Sequence, residues 1–264
     1  MSDWDPTQYH KFAEQRAQPF WDLIALVRPG ELARAVDLGC GSGELTAAAA
    51  AELGAGHMTG VDSSPVMLGQ ATGHAREGVT FVTGDIATWT SDHDHDLVLA
   101  NAALQWVGDH PTVLTRWAAA LRPGGQLAIQ VPANADHASH LASADVAHRE
   151  PFASAFGAAG PPPDPVAVNV LRPEEYATLL FELGMAEPRV RLQVYPHLLA
   201  STGDVVEWTK GTSLTRFFSR LPAELHEPFV DAYRDELVAR IGDRSPYFYA
   251  FKRILMWGRM PGRT

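Results

Sequence analysis

One cysteine, Cys40, in 264 residues leaves no intrachain disulfide framework for this chain to rest on. Long apolar runs are missing too, and none approaches the roughly 18 residues that a membrane-spanning helix requires. Positive charge is scarce: 21 Lys and Arg stand against 31 Asp and Glu, a formal net charge of −10, with no basic tract. Nonspecific phosphate binding rests on clustered Lys and Arg, so a long polyanion is not expected as a partner. The opening MSDWDPTQYHKF holds acids and a proline but no apolar core, and does not read as a secretory signal. The 11 histidines form neither HExxH nor CxxC spacing; His93 and His95 lie in an acidic SDHDHD loop and His137 and His140 in HASH, so no metal site is expected. What the chain does have is 46% hydrophobic residues, enough at this length for a sizeable core. A cytoplasmic protein of one large domain, or of a core carrying insertions, is the expectation.

Residues 7–27 carry apolar positions in a helical rhythm broken at Pro19, predicting one or two leading helices. Short apolar runs follow at 34–38, 57–61, 79–83, 96–100 and 125–131, separated by alanine-rich or amphipathic stretches at 44–53, 65–74 and 111–121. Strands alternating with helices of this length predict βαβ units and a parallel sheet. The rhythm breaks over 132–170, where a helical stretch to Phe156 meets GAAGPPPDP at 157–165, a surface connection or lid because proline cannot donate to a sheet. A helix at 173–183, an alternating strand at 187–195, helical residues at 204–240 and an aromatic strand at 247–257 complete the chain. The expected division is a leading segment 1–30, a core 31–131, a cap insertion 132–172, core again 173–198, a second helical cap insertion 199–245, and a last core strand 246–264.

The strongest local signal is Val36-Asp37-Leu38-Gly39-Cys40-Gly41-Ser42-Gly43, between a strand and a helix. Glycines there let the backbone pass close to a ligand, and the amides of the next helix face it. Asp62 stands nineteen residues beyond Gly43 at the end of the second strand, where a carboxylate can take both hydroxyls of an adenosine ribose. A dinucleotide fingerprint would need glycine where Glu44 stands. Glu44 and Asp37 suit instead a cofactor bearing positive charge, such as the ammonium and sulfonium of S-adenosylmethionine; a plain strand-to-helix turn is the other reading.

VDLGCGSG, VDSSP, GDIATW and LANAALQWVGDHP together resemble the class I S-adenosylmethionine-dependent methyltransferases. Within them, WDPTQYHKFAEQRAQP, VPANADHASH, Tyr195-Pro196-His197 and Glu207-Trp208 are similar to the trans-aconitate 2-methyltransferases, over nearly the whole chain. The resemblance implies a Rossmann-like, seven-stranded, mostly parallel α/β sheet with helical cap insertions. It implies that Asp37, Gly39 and Gly41 border the methionine end of the cofactor, that Asp62 holds the ribose with the Ser63 backbone amide near adenosine, and that Asp85 and Ile86 meet adenine. Asn101 and Trp106 would follow the fourth strand near the transferable methyl. Trp106 is otherwise a core aromatic, and Asp85 otherwise an Asx turn. The leading segment would fold over the cofactor, with Arg16 pairing its carboxylate or an anionic substrate.

The activity so implied is methyl transfer to a carboxylate oxygen of a small polycarboxylic acid, trans-aconitate first. No general base is needed, since carboxylates are ionised at pH 7, their reference pKa values lying near 4. Recognition of such a substrate must be local in a chain this acidic. His197 and Arg253 are the favoured residues, with Tyr195 and Trp208 beside them and Arg216 and Lys252 as further candidates. Two alternatives stay open: a methyltransferase of another, more apolar acceptor, suited to the aromatic strand at 247–257, and a noncatalytic S-adenosylmethionine-binding protein.

Overall fold

The computed structural model describes residues 13–262, with side chains from Ala17 onward. The apolar runs form strands β1 (Arg34–Leu38), β2 (His57–Asp62), β3 (Val79–Thr83), β4 (His95–Asn101), β5 (Leu121–Pro132), β6 (Ala186–Leu199) and β7 (Tyr247–Arg259). They make one seven-stranded sheet in the order β3-β2-β1-β4-β5-β7-β6. Neighbours from β3 to β5 pair in parallel, and β7 runs antiparallel to β5. Strands β1 and β4 are buried almost throughout, as central parallel strands flanked by helices must be. The order reverses direction at β1 and β4, and in such sheets ligands bind outside the carboxyl ends of the strands at that switch point.

Helices α1 (Ala13–Ile24), α2 (Glu44–Leu53), α3 (Pro65–Ala71), α4 (His110–Ala119), α5 (Ala138–Ala147), α6 (Phe152–Ala155), α7 (Pro165–Asn169), α8 (Pro173–Glu182), α9 (Thr202–Lys210), α10 (Thr215–Phe218) and α11 (His226–Ile241) fill the connections. Local chemistry sets their ends. Gly43 and Gly54 bracket α2 in left-handed conformations, and Ser64 accepts the Met67 amide to start α3 ahead of Pro65. The sequence expectation of a break at Pro19 is corrected: α1 runs through it, with Phe20, Leu23 and Ile24 buried on its inner face. The helical stretch expected at 204–240 is three helices, interrupted at Gly211 and around Pro222.

The chain divides into two compact units. One comprises Gln18–Pro132, Asn169–Gln193 and the chain from Arg253 on. Its core joins Leu38, Met58, Val98, Leu99, Ile129 and Trp257, all at most 1% exposed. Gln126 ties the loop after α1 to the sheet, its Oε1 accepting from Arg28 N at 2.7 Å and Trp257 Nε1 at 2.9 Å. The other comprises Ala133–Val168 and Val194–Lys252, with the described chain up to Ala17. There α11 packs on α5 and α9 around Phe152, Phe217, Phe229 and Tyr233.

Candidate active site

The sharp turn after β1 is built by backbone that only glycine adopts cheaply. Gly39, Gly41 and Gly43 have φ of +83°, +56° and +76°. The amides of Gly39 and Cys40 both donate to Val61 O, at 2.7 and 3.0 Å, folding the loop against β2. A Cβ on Gly39 would stand 2.2 Å from that of Ala103, so the loop also runs hard against the segment after β4. Asp62 shapes the same loop: its Oδ2 accepts Gly41 N at 2.9 Å and its Oδ1 accepts Ser64 N at 2.8 Å. Each oxygen keeps a further lone pair for a hydroxyl donor. Ser63 is exposed in the turn that follows.

Asp37 is 3% exposed. Its Oδ2 accepts the Thr46 hydroxyl at 2.5 Å, while Oδ1 has no donor among the described residues. Burial pushes its pKa up to about 6, against the pull of the Thr46 hydrogen bond and with help from the Asp62 charge. Asn101 Oδ1, Gln105 Oε1 and Gln130 Oε1 are likewise buried acceptors without donors. Asn101 ends β4 in register with Gln130 of β5, and Gln105 Nε2 is committed to Ala102 O at 2.6 Å. Unfilled buried acceptors are costly, so this end of β1, β4 and β5 is prepared for a ligand that brings donors and positive charge. The ammonium and sulfonium of S-adenosylmethionine meet that demand; a pyrophosphate does not.

Asp85 is exposed, its Oδ1 accepting Ala87 N at 2.9 Å in an Asx turn. Ile86 beside it is half-buried, its carbonyl accepting Trp117 Nε1 at 3.1 Å from α4. Trp106 is 54% exposed, which removes its reading as a core aromatic and leaves its face open to a ligand. Ala102, in the same segment, holds a left-handed φ of 52°, a strained conformation typical of functional turns. Cys40 is buried, and burial followed by the Asp37 and Asp62 charges pushes its thiol up, which disqualifies it as a nucleophile. Arg16 lies on α1, but its side chain falls outside the described residues.

In the second unit, Tyr195, His197 and Trp208 are at most 6% exposed. His197 stacks on Trp208 at 5.1 Å and 29°, and Phe251 and Tyr249 border the same indole. Arg253, 9% exposed, belongs with Pro132 to the first unit and stands opposite it, on β7. Lys252 pairs with Asp136 at 2.6 Å. Arg216 is buried and faces Asp164 at 3.6 Å, and Asp164 also meets His140 Nδ1 at 2.5 Å. Sequence reasoning did not find Thr46, Gln130 or Asp164; a glutamine inside the buried run LAIQV was the one available signal for Gln130. Among the described residues no group of His, Cys, Asp and Glu is arranged to hold a metal ion, and no helix is long and apolar enough to cross a membrane.

Comparison with known proteins agrees with this geometry. A methyltransferase domain family model matches residues 35–125. A trans-aconitate 2-methyltransferase of Deinococcus radiodurans is 42% identical over 266 residues, covering 98% of each chain. Among solved structures, the YcgJ protein of Bacillus subtilis superposes with a TM-score of 0.61 at 16% identity, covering 93% of this chain and 99% of that one. Phosphoethanolamine N-methyltransferase 2 of Haemonchus contortus, solved with phosphomonomethylethanolamine and S-adenosylhomocysteine, superposes at 0.57 with 18% identity, covering 92% of this chain and 52% of that one.

Proposed function

Because this chain belongs to the trans-aconitate 2-methyltransferase family of S-adenosylmethionine-dependent methyltransferases, we propose that it esterifies a carboxylate of trans-aconitate with the methyl group of S-adenosylmethionine. The observation that supports the cofactor is the set of buried acceptors at Asp37, Asn101, Gln105 and Gln130 that have no donor among the described residues. When bound, S-adenosylmethionine supplies an electrophilic methyl on a sulfonium. Asp37, Gly39 and Gly41 would border its methionine end, Asp62 would hold the ribose with the Ser63 amide near the adenosine, and Asp85 and Ile86 would meet the adenine; Asn101 and Trp106 would lie on the methyl side, and Arg16, whose side chain is outside the described residues, is the candidate partner of the cofactor carboxylate or of an anionic substrate. An aromatic face beside a sulfonium contributes about 0.5–2 kcal/mol. No residue need act as a base, because the accepting carboxylate is already ionised near neutral pH. Catalysis is therefore positioning, worth effective molarities of about 10⁵–10⁸ M in well-oriented reactions.

His197 and Arg253, with Tyr195 and Trp208, carry the substrate on this reading. A buried arginine is the side chain best matched to a carboxylate, which its planar fork binds through two parallel hydrogen bonds. The cap insertions 132–172 and 199–245 are then the segments that select the acceptor. We take the reaction to run in the cytoplasm without a nucleic-acid partner, as the single cysteine and the net charge of −10 support. The aromatic cluster of Trp208, Tyr249 and Phe251 favours a second reading, a more apolar acid as acceptor. Comparing kcat/KM across trans-aconitate, other polycarboxylates and apolar acids decides between them. Trans-aconitate should lead, and Arg253→Lys should raise its KM about tenfold or more, roughly 1.4 kcal/mol of lost recognition. Preference for apolar acids, indifferent to Arg253→Lys, would overturn the substrate assignment.

A further inference from the structure

His110, to which no role has so far been given, holds the turn after β4 from outside. It opens α4 and is 1% exposed. Its Nε2 lies 3.0 Å from both Leu104 O and Val107 O. Two carbonyls on one nitrogen require that Nε2 carry the proton, and these two carbonyls bracket Gln105 and Trp106. Nδ1 is then an acceptor and takes the Tyr176 hydroxyl at 2.7 Å, the two rings stacking at 5.9 Å and 21°. Tyr176, fully buried on α8, accepts Leu171 N at 3.3 Å, which leaves its own proton for His110. Burial, stronger than the two carbonyl contacts, holds the His110 imidazole below its ordinary range and so neutral. Asn169 Nδ2 adds a bond to Gln105 O at 2.9 Å. Side chains from beyond the turn thus hold the carbonyls of Leu104, Gln105 and Val107, next to the strained Ala102. A merely connecting turn needs no such bracing, and strain of this kind persists only where the surroundings over-determine it.

We propose that the His110–Tyr176 pair positions the methyl-transfer site, fixing the Leu104–Trp106 turn so that Gln105 and Trp106 keep their places after β4. The inference rests on the reading that this end of the sheet holds the methyl donor. His110 touches neither reactant; it acts through the two carbonyls it binds. In a reaction driven by positioning, a displacement of about 1 Å can cost on the order of 100-fold in rate.

The test compares wild type, His110→Ala, His110→Gln and Tyr176→Phe in steady-state transfer to trans-aconitate, alongside calorimetric binding of S-adenosylhomocysteine. For His110→Ala, kcat should fall about 10- to 100-fold while KM for trans-aconitate and affinity for S-adenosylhomocysteine stay within about threefold. His110→Gln, whose amide N–H can reach one of the two carbonyls, should recover most of kcat, and Tyr176→Phe should fall between. Amide exchange at 105–107 should quicken in His110→Ala in step with the loss. Should His110→Ala not fold, His110→Gln against Tyr176→Phe carries the same comparison. An unchanged kcat would overturn the inference, as would a joint loss of kcat and binding that His110→Gln does not relieve. If wild type neither binds S-adenosylhomocysteine nor transfers methyl, the underlying reading falls and takes this one with it.

Discussion

On the proposed reading, Asp37 is the residue on which protons and cofactor compete. Its pKa of about 6 in the cofactor-free protein lies above the 3.8 of an exposed aspartate. A cation beside it favours the ionised form. Affinity for S-adenosylmethionine should therefore weaken as pH falls through 6, by up to about tenfold per pH unit, and Asp37→Asn should remove that dependence; titration calorimetry between pH 5 and 8 checks both. The sign for stability is opposite. The folded protein binds this proton more tightly than the unfolded chain, so the cofactor-free form gains stability on acidification from above pH 6 toward 4. Asp37→Asn should accordingly stabilise it at pH 7, by at most about 3 kcal/mol, while cofactor binding suffers. At Gly39, alanine would combine a left-handed backbone, costing about 1–3 kcal/mol, with the clash on Ala103. Thermal unfolding of Gly39→Ala should show a lower Tm and no gain on adding cofactor. Asp37 and Asp62 were legible in the sequence because each is an acid at the end of a strand beside the glycine loop. Thr46 was not, since its role depends on a helix turn facing Asp37 across the glycine loop.

Among the elements, the proline-rich loop shows best what a pattern conceals. Four prolines rule out strand and interior helix, which is why 157–165 reads as surface. Yet the loop delivers Asp164 inward, between His140 of α5 and Arg216 of α10, each side chain at most 11% exposed. Burial alone would raise Asp164, but the His140 hydrogen bond and the charges of His140 and Arg216 together hold it below the usual carboxylate range. Its contribution to stability is present above the unfolded value of 3.8 and is lost as pH falls through the lower folded value. Asp164→Ala strands a buried guanidinium and should destabilise the fold by about 3–5 kcal/mol, seen as an earlier denaturant midpoint. Strand and helix positions were otherwise plain from periodicity: the strands at 34–38 and 79–83 and the helix at 44–53 fall where expected. The helix through Pro19 was not, because burial of Phe20, Leu23 and Ile24 outweighs a lost hydrogen bond.

At the scale of the whole molecule, the alternation of strands and helices told of a parallel sheet, but not of β7 inserting antiparallel between β5 and β6. Nothing in the chain before residue 247 foreshadows that pairing, which is settled only when Tyr247–Arg259 finds the free edge of β5. Gln126 joins β5 to Arg28 and Trp257 away from the glycine loop. Gln126→Leu leaves two N–H groups without acceptors and should cost about 2–4 kcal/mol in chemical denaturation, with affinity for S-adenosylhomocysteine unchanged. Loss of cofactor affinity in that variant would show that the sheet's two ends are coupled. On the proposed reading, the acceptor-lined end of β1, β4 and β5 holds a sulfonium cofactor whose methyl passes to a polycarboxylate. The most direct test of that reading is a single-turnover incubation of the protein with methyl-labelled S-adenosylmethionine and trans-aconitate, the product identified by mass and by the site of the label. The label should appear as a monomethyl ester, with no added base or metal. Recovery of all the label on unreacted S-adenosylmethionine, with trans-aconitate saturating, would rule out this reaction.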